Sequence, residues 1–315
     1  MIVVDVERIR AALDIPTAIE RIEEGFAAYS AGKLTVPPVG HLDFENPPGE
    51  CHIKYGYVHG DDHFVIKVAT GFYENAKQGL PNSSGLMILF SAETGEAEVL
   101  LQDAGYLTDV RTAIAGCLSA RYLAPSAVER IGIVGGGIQA RMQLEYLQHA
   151  TDCRDVAVWT RRPEQAADYR VAMAGSGFDV RVAESPRALC ESCNLIVTTT
   201  AATEPLLMSD WIRAGTHVTA MGSDGPGKQE LDPSLFARAG RCVVDSLSQC
   251  TAFGESRHAV ANGFVTADDL VELGAIVAGA QPGRRADDEI TIADLTGVAV
   301  QDIQIAKAVW SEIAD

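Results

Sequence analysis

Twelve residues, Arg130 to Arg141 (R-I-G-I-V-G-G-G-I-Q-A-R), constrain this chain more than any other stretch. An apolar run, Ile131 to Val134, enters three glycines and then a helical pattern. The spacing Gly135-x-Gly137-x-x-Ala140 fits the fingerprint of a dinucleotide-binding strand, turn and helix. Gly135 permits the tight turn. Gly137 lets the backbone approach a pyrophosphate, and Ala140 lets the helix pack closely on the strand. The first helical residues, Ile138 and Gln139, present backbone N–H groups and the positive end of the helix dipole. Such a match has weight only with a strand before it, a helix after it and a second strand at the right distance. Residues 155–159 supply that strand.

From this turn onward strands and helices alternate. Strands are predicted at residues 131–134, 155–159, 195–198, 217–221, 241–244 and 289–293, which argues for a mostly parallel sheet covered by helices on both faces. The preceding part reads differently. Residues 6–31 form a helical pattern, and 36–49 are a proline-rich connection. Strands at 51–58, 63–70, 85–92 and 97–102 are joined by short turns. Connections that short imply antiparallel pairing. A helix at 109–123 leads to the glycine turn, and a last helix is expected at 298–314. The expected fold class is therefore α/β, a doubly wound Rossmann sheet plus an α+β domain with a mainly antiparallel sheet. The expected division is 1–112, with 299–315 returning to it, and 113–298.

The chain has 315 residues, 47% of them hydrophobic and 22% charged, enough to build a sizeable core. The net charge of −18 argues against nucleic acid or an anionic membrane as partner. No apolar stretch is long enough to span a bilayer, and Met1 to Glu7 lacks a basic leader region. The expectation is a cytoplasmic protein. Seven cysteines are scattered over the chain, which is not the pattern of a disulfide framework. Cys190 and Cys193 have C-x-x-C spacing without a second ligand pair for zinc, and read as ordinary thiols. His59 and His63 flank an Asp-Asp turn without further converging ligands. No metal site is expected.

Ligands of open α/β sheets lie beyond the carboxyl ends of the strands. After the second strand come Thr160, Arg161 and Arg162. A carboxylate for ribose hydroxyls would usually stand there, whereas arginine forks suit a 2′-phosphate. NADP(H) is therefore favoured over NAD(H), unless the arginines merely form a solvated turn. Thr198, Thr199 and Thr200 follow the third strand, where hydroxyls could line a cofactor or simply reflect strand propensity. Met221 opens a Gly/Pro-rich loop holding Asp224, placed for general acid or base chemistry or for turn formation. In the first domain Lys67 sits in the apolar run Phe64-Val65-Ile66-Lys67-Val68-Ala69, where a lysine must find a partner, snorkel or shift its pKa. Lys54 lies on the neighbouring strand. Arg111, at the start of the 109–123 helix, can grip a substrate carboxylate or serve in an ordinary ion pair.

Five segments in order resemble the ornithine cyclodeaminase/μ-crystallin family: F-V-I-K-V-A around Lys67, L-T-D-V-R-T-A-I-A-G (Leu107 to Gly116), G-I-V-G-G-G-I-Q-A-R (Gly132 to Arg141), M-G-S-D-G-P-G-K-Q-E-L (Met221 to Leu231) and D-L-T-G-V-A-V-Q-D (Asp294 to Asp302). The resemblance covers nearly the whole chain. It implies a homodimer of two-domain subunits that bind NAD(P) and act at the Cα–N bond of L-amino acids or their imines. By position, Lys67 matches the family's active-site lysine, Arg111 its carboxylate-binding arginine and Asp224 the acid/base aspartate of cyclodeaminases. Thr296 and Gly297 fall in the loop near the nicotinamide. Thr160 stands where NAD-using cyclodeaminases carry an acidic residue. One departure is that residues 36–41, Val-Pro-Pro-Val-Gly-His, lack the second substrate-binding arginine often found there, a role Lys54 can take. The resemblance leaves three activities open: imine reductase or amino-acid dehydrogenase, ammonia-releasing ornithine cyclodeaminase, and an NADP-dependent small-ligand binding protein.

Overall fold

The computed structural model describes residues 1–72 and 74–314. They divide into two compact units, Met1–Arg111 with Val298–Asp315, and Thr112–Gly297.

The first unit is a seven-stranded sheet with helices on one face. Its strands are β1 (Ile2–Asp5), β2 (Leu34–Thr35), β3 (Gly40–Glu45), β4 (Pro48–Val58), β5 (His63–Phe72), β6 (Ser83–Ser91) and β7 (Ala97–Gln102). The order is β1-β7-β6-β5-β4, with β2 and β3 both pairing β4. All pairs are antiparallel except β1 with β7. Three features depart from the sequence reading. The helix expected over 6–31 is two helices, α1 (Val6–Ala12) and α2 (Ile15–Ser30). Asp14 breaks the run because its carboxylate caps the second helix, accepting from Thr17 N, with Pro16 in the first turn. The N-terminal residues form β1. The proline-rich connection contains β3, antiparallel to the first half of β4.

Side-chain alternation sends β5 in an unusual direction. Val65 and Lys67 are buried, whereas Phe64, Ile66 and Val68 are only half-buried. In β6, Met87 and Leu89 are buried and Leu86, Ile88 and Phe90 half-buried. The buried face is covered by the C-terminal helix, Ala299–Ala314, against which α2 packs in turn. A Cβ on Gly25 would lie 2.7 Å from Gln304 Cγ, so only glycine lets these helices approach so closely. Lys67 is thus a lone charge on a covered face otherwise made of Val65, Met87 and Leu89, while the other face also carries apolar side chains.

The helix α3 (Tyr106–Leu123) carries the chain across the boundary at Arg111. The second unit holds β8 (Ile131–Val134), α4 (Ile138–Leu147), β9 (Asp155–Trp159), α5 (Pro163–Ala172), β10 (Asp179–Val182), α6 (Pro186–Ser192), β11 (Leu195–Thr198), β12 (Thr203–Leu207), β13 (His217–Ala220), β14 (Gln229–Leu231), α7 (Leu235–Arg238), β15 (Arg241–Val244), α8 (Leu247–Phe253), α9 (Glu255–Ala261), β16 (Leu270–Glu272), α10 (Leu273–Val277) and β17 (Thr291–Asp294). Eight of the strands form one parallel sheet, order β10-β9-β8-β11-β13-β17-β15-β16, and β12 pairs β14 separately. Alternate residues feed two cores. Ile131, Ile133, Val156, Val158, Leu195 and Val197 enter one with α4 and α5. Val134, Ala157, Ile196, Val218, Cys242 and Val244 enter the other. The sheet is thus buried on both faces, and its order reverses between β8 and β11. That reversal is the place where an open α/β sheet binds its ligand.

Candidate active site

In the second unit a pocket of about 210 Å³ opens at the β8/β11 switch point. It is lined by Gly135, Gly136 and Gly137, by Trp159, Thr160, Arg161 and Gln165, and by Thr199 to Ala202 with Leu206. The three glycines answer to different constraints. Gly135 has φ +127°, and a Cβ there would lie 2.4 Å from Thr199 Oγ1. Gly136 meets Thr160 Cγ2 at 2.9 Å. Gly137 has ordinary φ, −80°, and open space where a Cβ would stand. Nothing in the protein requires that third glycine, which fits a position kept bare for a close-lying ligand. Gly137 is also the N-cap of α4, and having no side chain it leaves the first N–H groups of the helix without a side-chain cap. This is an anion-accepting helix start. The residues present thus fit a dinucleotide, and among the described lining residues none carries a carboxylate.

Arg161 and Arg162 are exposed beside the pocket, and Thr160 donates its hydroxyl to Arg162 O at 2.6 Å. Thr199 donates to Val134 O at 3.3 Å. Thr198 is fully buried, and its hydroxyl is spent on Glu230 Oε2 at 2.6 Å. Met221 is half-buried against the α4/α5 core. Asp224 lies in its loop with a half-exposed side chain, paired with Lys228 at 2.6 Å. Thr296 is buried and donates to Asp245 Oδ1, while Gly297 N donates to Asp245 Oδ2 at 2.6 Å. Asp245, which the sequence reading did not select, therefore fixes the loop after β17.

The first unit assembles the other charges. Lys54 and Lys67 stand directly opposite each other on β4 and β5. Lys67 is 2% exposed and Arg111 6%. Between them lies Asp302, from the first turn of the C-terminal helix, with Lys67 Nζ at 3.1 Å and Arg111 Nε at 3.0 Å. Gln301 holds the same arginine, donating from Nε2 to Arg111 O at 3.2 Å. Burial pulls the Lys67 pKa down from 10.5 to about 7; Asp302 opposes this, and the Arg111 and Lys54 charges add to it. Burial alone would raise Asp302, but the three cations outweigh it and hold it low. Asp103, 1% exposed, caps the start of α3 by accepting from Leu107 N at 2.8 Å, and burial pushes its pKa up. Neither Asp302 nor Asp103 was selected from sequence. The signal for Asp302 was available: a carboxylate on an otherwise apolar helix stripe requires a buried partner.

Other sequence candidates are accounted for structurally. Cys190 and Cys193 are buried at the end of α6, where burial pushes their thiols up to about 12 and about 11, making them inert. His63 pairs with Glu98 and His59 with Thr35. Among the described residues no cluster of His, Cys, Asp and Glu has the arrangement of a metal site, and no helix is long and apolar enough to cross a membrane.

The model of the ornithine cyclodeaminase/mu-crystallin family matches residues 1–315. The chain belongs to that family. Three solved structures share its fold throughout. An archaeal alanine dehydrogenase dimer with bound NAD is 33% identical, TM-score 0.92, covering 100% of this chain and 96% of that one. The iminosuccinate reductase of Paracoccus denitrificans in complex with NAD+ is 34% identical, TM-score 0.91, with 100% and 96% coverage. The Δ1-pyrroline-2-carboxylate reductase of Thermococcus litoralis, in complex with NADH and L-proline, is 27% identical, TM-score 0.93, with 100% and 98% coverage. Each of these proteins is named for chemistry at a carbon–nitrogen bond beside a carboxylate.

Proposed function

We propose that this chain is an NAD(P)H-dependent oxidoreductase acting at the Cα–N bond of an L-amino acid or its imine. The observation that carries the reading is the buried Lys67–Asp302–Arg111 cluster. Buried cations on rigid elements are suited to a substrate carboxylate, which they orient and desolvate. Arg111, aided by Lys54, anchors that carboxylate. Lys67, with a pKa lowered to about 7 chiefly by burial, polarises it and can gain or lose a proton near neutrality. Asp224 exchanges a proton with the substrate nitrogen. Gly135, Gly137, Ile138 and Gln139 hold the pyrophosphate, Thr199 and Met221 line the cofactor, and Thr296 and Gly297 shape the nicotinamide end. When bound, the nicotinamide accepts or supplies the hydride. Imine reduction adds hydride to Cα and one proton to nitrogen; amine oxidation removes both.

The dinucleotide is NADP(H) in this reading. Arg161 and Arg162 offer guanidinium groups where a ribose-binding carboxylate would otherwise stand. The related structures hold NAD, NAD+ or NADH, so a direct comparison of the two reduced cofactors decides. The half-exposed apolar face carrying Ile66, Val68, Ile88 and Phe90 is covered by a second copy of the chain. The dimer of the related alanine dehydrogenase supports this, and sedimentation checks it.

The test is NADPH and NADH oxidation against Δ1-pyrroline- and Δ1-piperideine-carboxylates, and against 2-oxo acids with ammonia or amines. Consumption of NADPH with an imine is the expected result. Ammonia release from ornithine without net change in nicotinamide absorbance would make the chain a lyase instead. No turnover across the panel would leave a binding protein. Asp224→Asn should abolish turnover and spare NADPH binding; undiminished turnover removes Asp224 from the mechanism.

A further inference from the structure

Glu230 is fully buried on β14 and was selected by no sequence argument. Its carboxylate accepts four hydrogen bonds. Oε1 takes Thr200 N at 2.6 Å and Thr200 Oγ1 at 2.7 Å, while Oε2 takes Thr198 Oγ1 at 2.6 Å and Gly222 N at 2.8 Å. These donors come from the carboxyl ends of two adjacent strands, β11 and β13. One end continues into Thr199 to Ala202, which line the pocket; the other continues into the Asp224 loop. The two ends touch so closely that a Cβ on Gly222 would lie 2.1 Å from Thr200 O. Glu230 is itself held. Its N–H donates to Glu255 Oε1 at 2.6 Å, and Leu231 N to Oε2 at 3.1 Å. Next to it Gln229 N donates to Ala202 O at 2.8 Å.

Burying a carboxylate is costly, and apolar side chains could fasten two strands at least as firmly. What four directed bonds add is a fixed geometry for the groups they hold. We propose that Glu230 is a positioning residue that sets the pocket wall Thr199–Ala202 and the Asp224 loop in the geometry that dinucleotide binding requires. This rests on the reading of the pocket as a dinucleotide site.

Glu230→Gln keeps the shape but presents an amide N–H₂ to one of two backbone N–H groups, which cannot turn away. The experiment is titration of the full-length protein with NADPH and with NADH. It is read by the change in tryptophan fluorescence, since one of the three tryptophans, Trp159, lines the pocket. Circular dichroism and a thermal melt run alongside. The expected result is a folded variant whose Kd for NADPH rises tenfold or more. A merely structural role would lower the melting temperature and leave the Kd of the folded protein unchanged. A Kd within twofold of the wild type overturns the proposal. If Glu230→Gln fails to fold, Thr198→Val removes one of the four bonds and decides. Threefold or greater weakening supports the proposal, and unchanged affinity overturns it. Wild-type protein that binds neither dinucleotide defeats the pocket reading instead, so the two failures are distinct.

Discussion

Replacing Asp302 by Asn removes one negative charge and almost no volume. In the native chain that charge lies 3.1 Å from Lys67 Nζ and 3.0 Å from Arg111 Nε, with all three side chains buried. Removing one partner of a buried pair costs roughly 3–5 kcal/mol, because the remaining charge stays desolvated. The two cations respond differently. Arg111 cannot give up its proton. Lys67 can, since its pKa already lies at about 7. Above that pH Lys67 is neutral in both proteins, and the variant leaves Arg111, with Lys54 beside it, without the Asp302 charge. Below it, the wild type carries Lys67 charged beside Asp302, while the variant must keep it charged and unpaired or neutralise it. The sign follows from the lowered lysine pKa. The native state resists protonation of Lys67, the penalty is complete below about pH 7 and fades toward 10.5, and losing Asp302 deepens it. Equilibrium urea unfolding followed by circular dichroism should show a loss of roughly 3 kcal/mol at pH 9, growing by at most about 1.4 kcal/mol by pH 6, one pH unit below the Lys67 pKa. A loss below about 1 kcal/mol, the same at both pH values, would mean that solvent screens the pair as it does at a surface. The buried-cluster argument would then fall.

Replacing Arg161 and Arg162 together by Ala should lower kcat/KM for NADPH about tenfold, or about 1.4 kcal/mol, with little change for NADH. Equal losses for both would remove the arginines from 2′-phosphate recognition. Asp294 is fully buried, with Oδ2 accepting from Ser256 N at 2.8 Å and Oδ1 unpartnered. Burial pushes its pKa from 3.8 up to about 7, so the native state holds a proton that the unfolded state has released. That contribution is complete below about pH 4 and declines as pH rises toward 7, by about 1.4 kcal/mol per unit at most. Asp294→Asn should flatten the fall in urea midpoint across that range; parallel curves for the two proteins would count against a neutral Asp294.

How much was legible from sequence depended on whether a feature left a local pattern. The strands of the parallel sheet are short apolar runs broken by glycine and proline, and β8, β9, β11 and β15 were read to the residue. β3 left no such pattern. All of His41 to Glu45 is exposed, so no buried face imposes a period of two, and its pairing with β4 was hidden among prolines. β1 is four residues whose partner, β7, lies some hundred positions away. The same distance effect governs the site. Lys67 betrays itself as a charge in an apolar strand and Asp302 as a carboxylate on an apolar helix stripe, but that the two are partners emerges only when the C-terminal helix sets Asp302 against residues 67 and 111. In the sequence a hydroxyl at a strand end, such as that of Thr198, looks alike whether it faces a ligand or a buried carboxylate, and Glu230 leaves no local pattern that points to its role.

The three glycines after β8 separate two kinds of selection within adjacent positions. A library screened for folding alone should reject side chains at Gly135, whose positive φ of +127° they rarely adopt and where a Cβ would strike Thr199, and should penalise them at Gly136. It should pass many of them at Gly137, where the protein itself offers no obstacle. Only a screen that rewards ligand binding can see that third position. A protein optimised for heat resistance could therefore lose its cofactor through a change that every stability measurement records as silent.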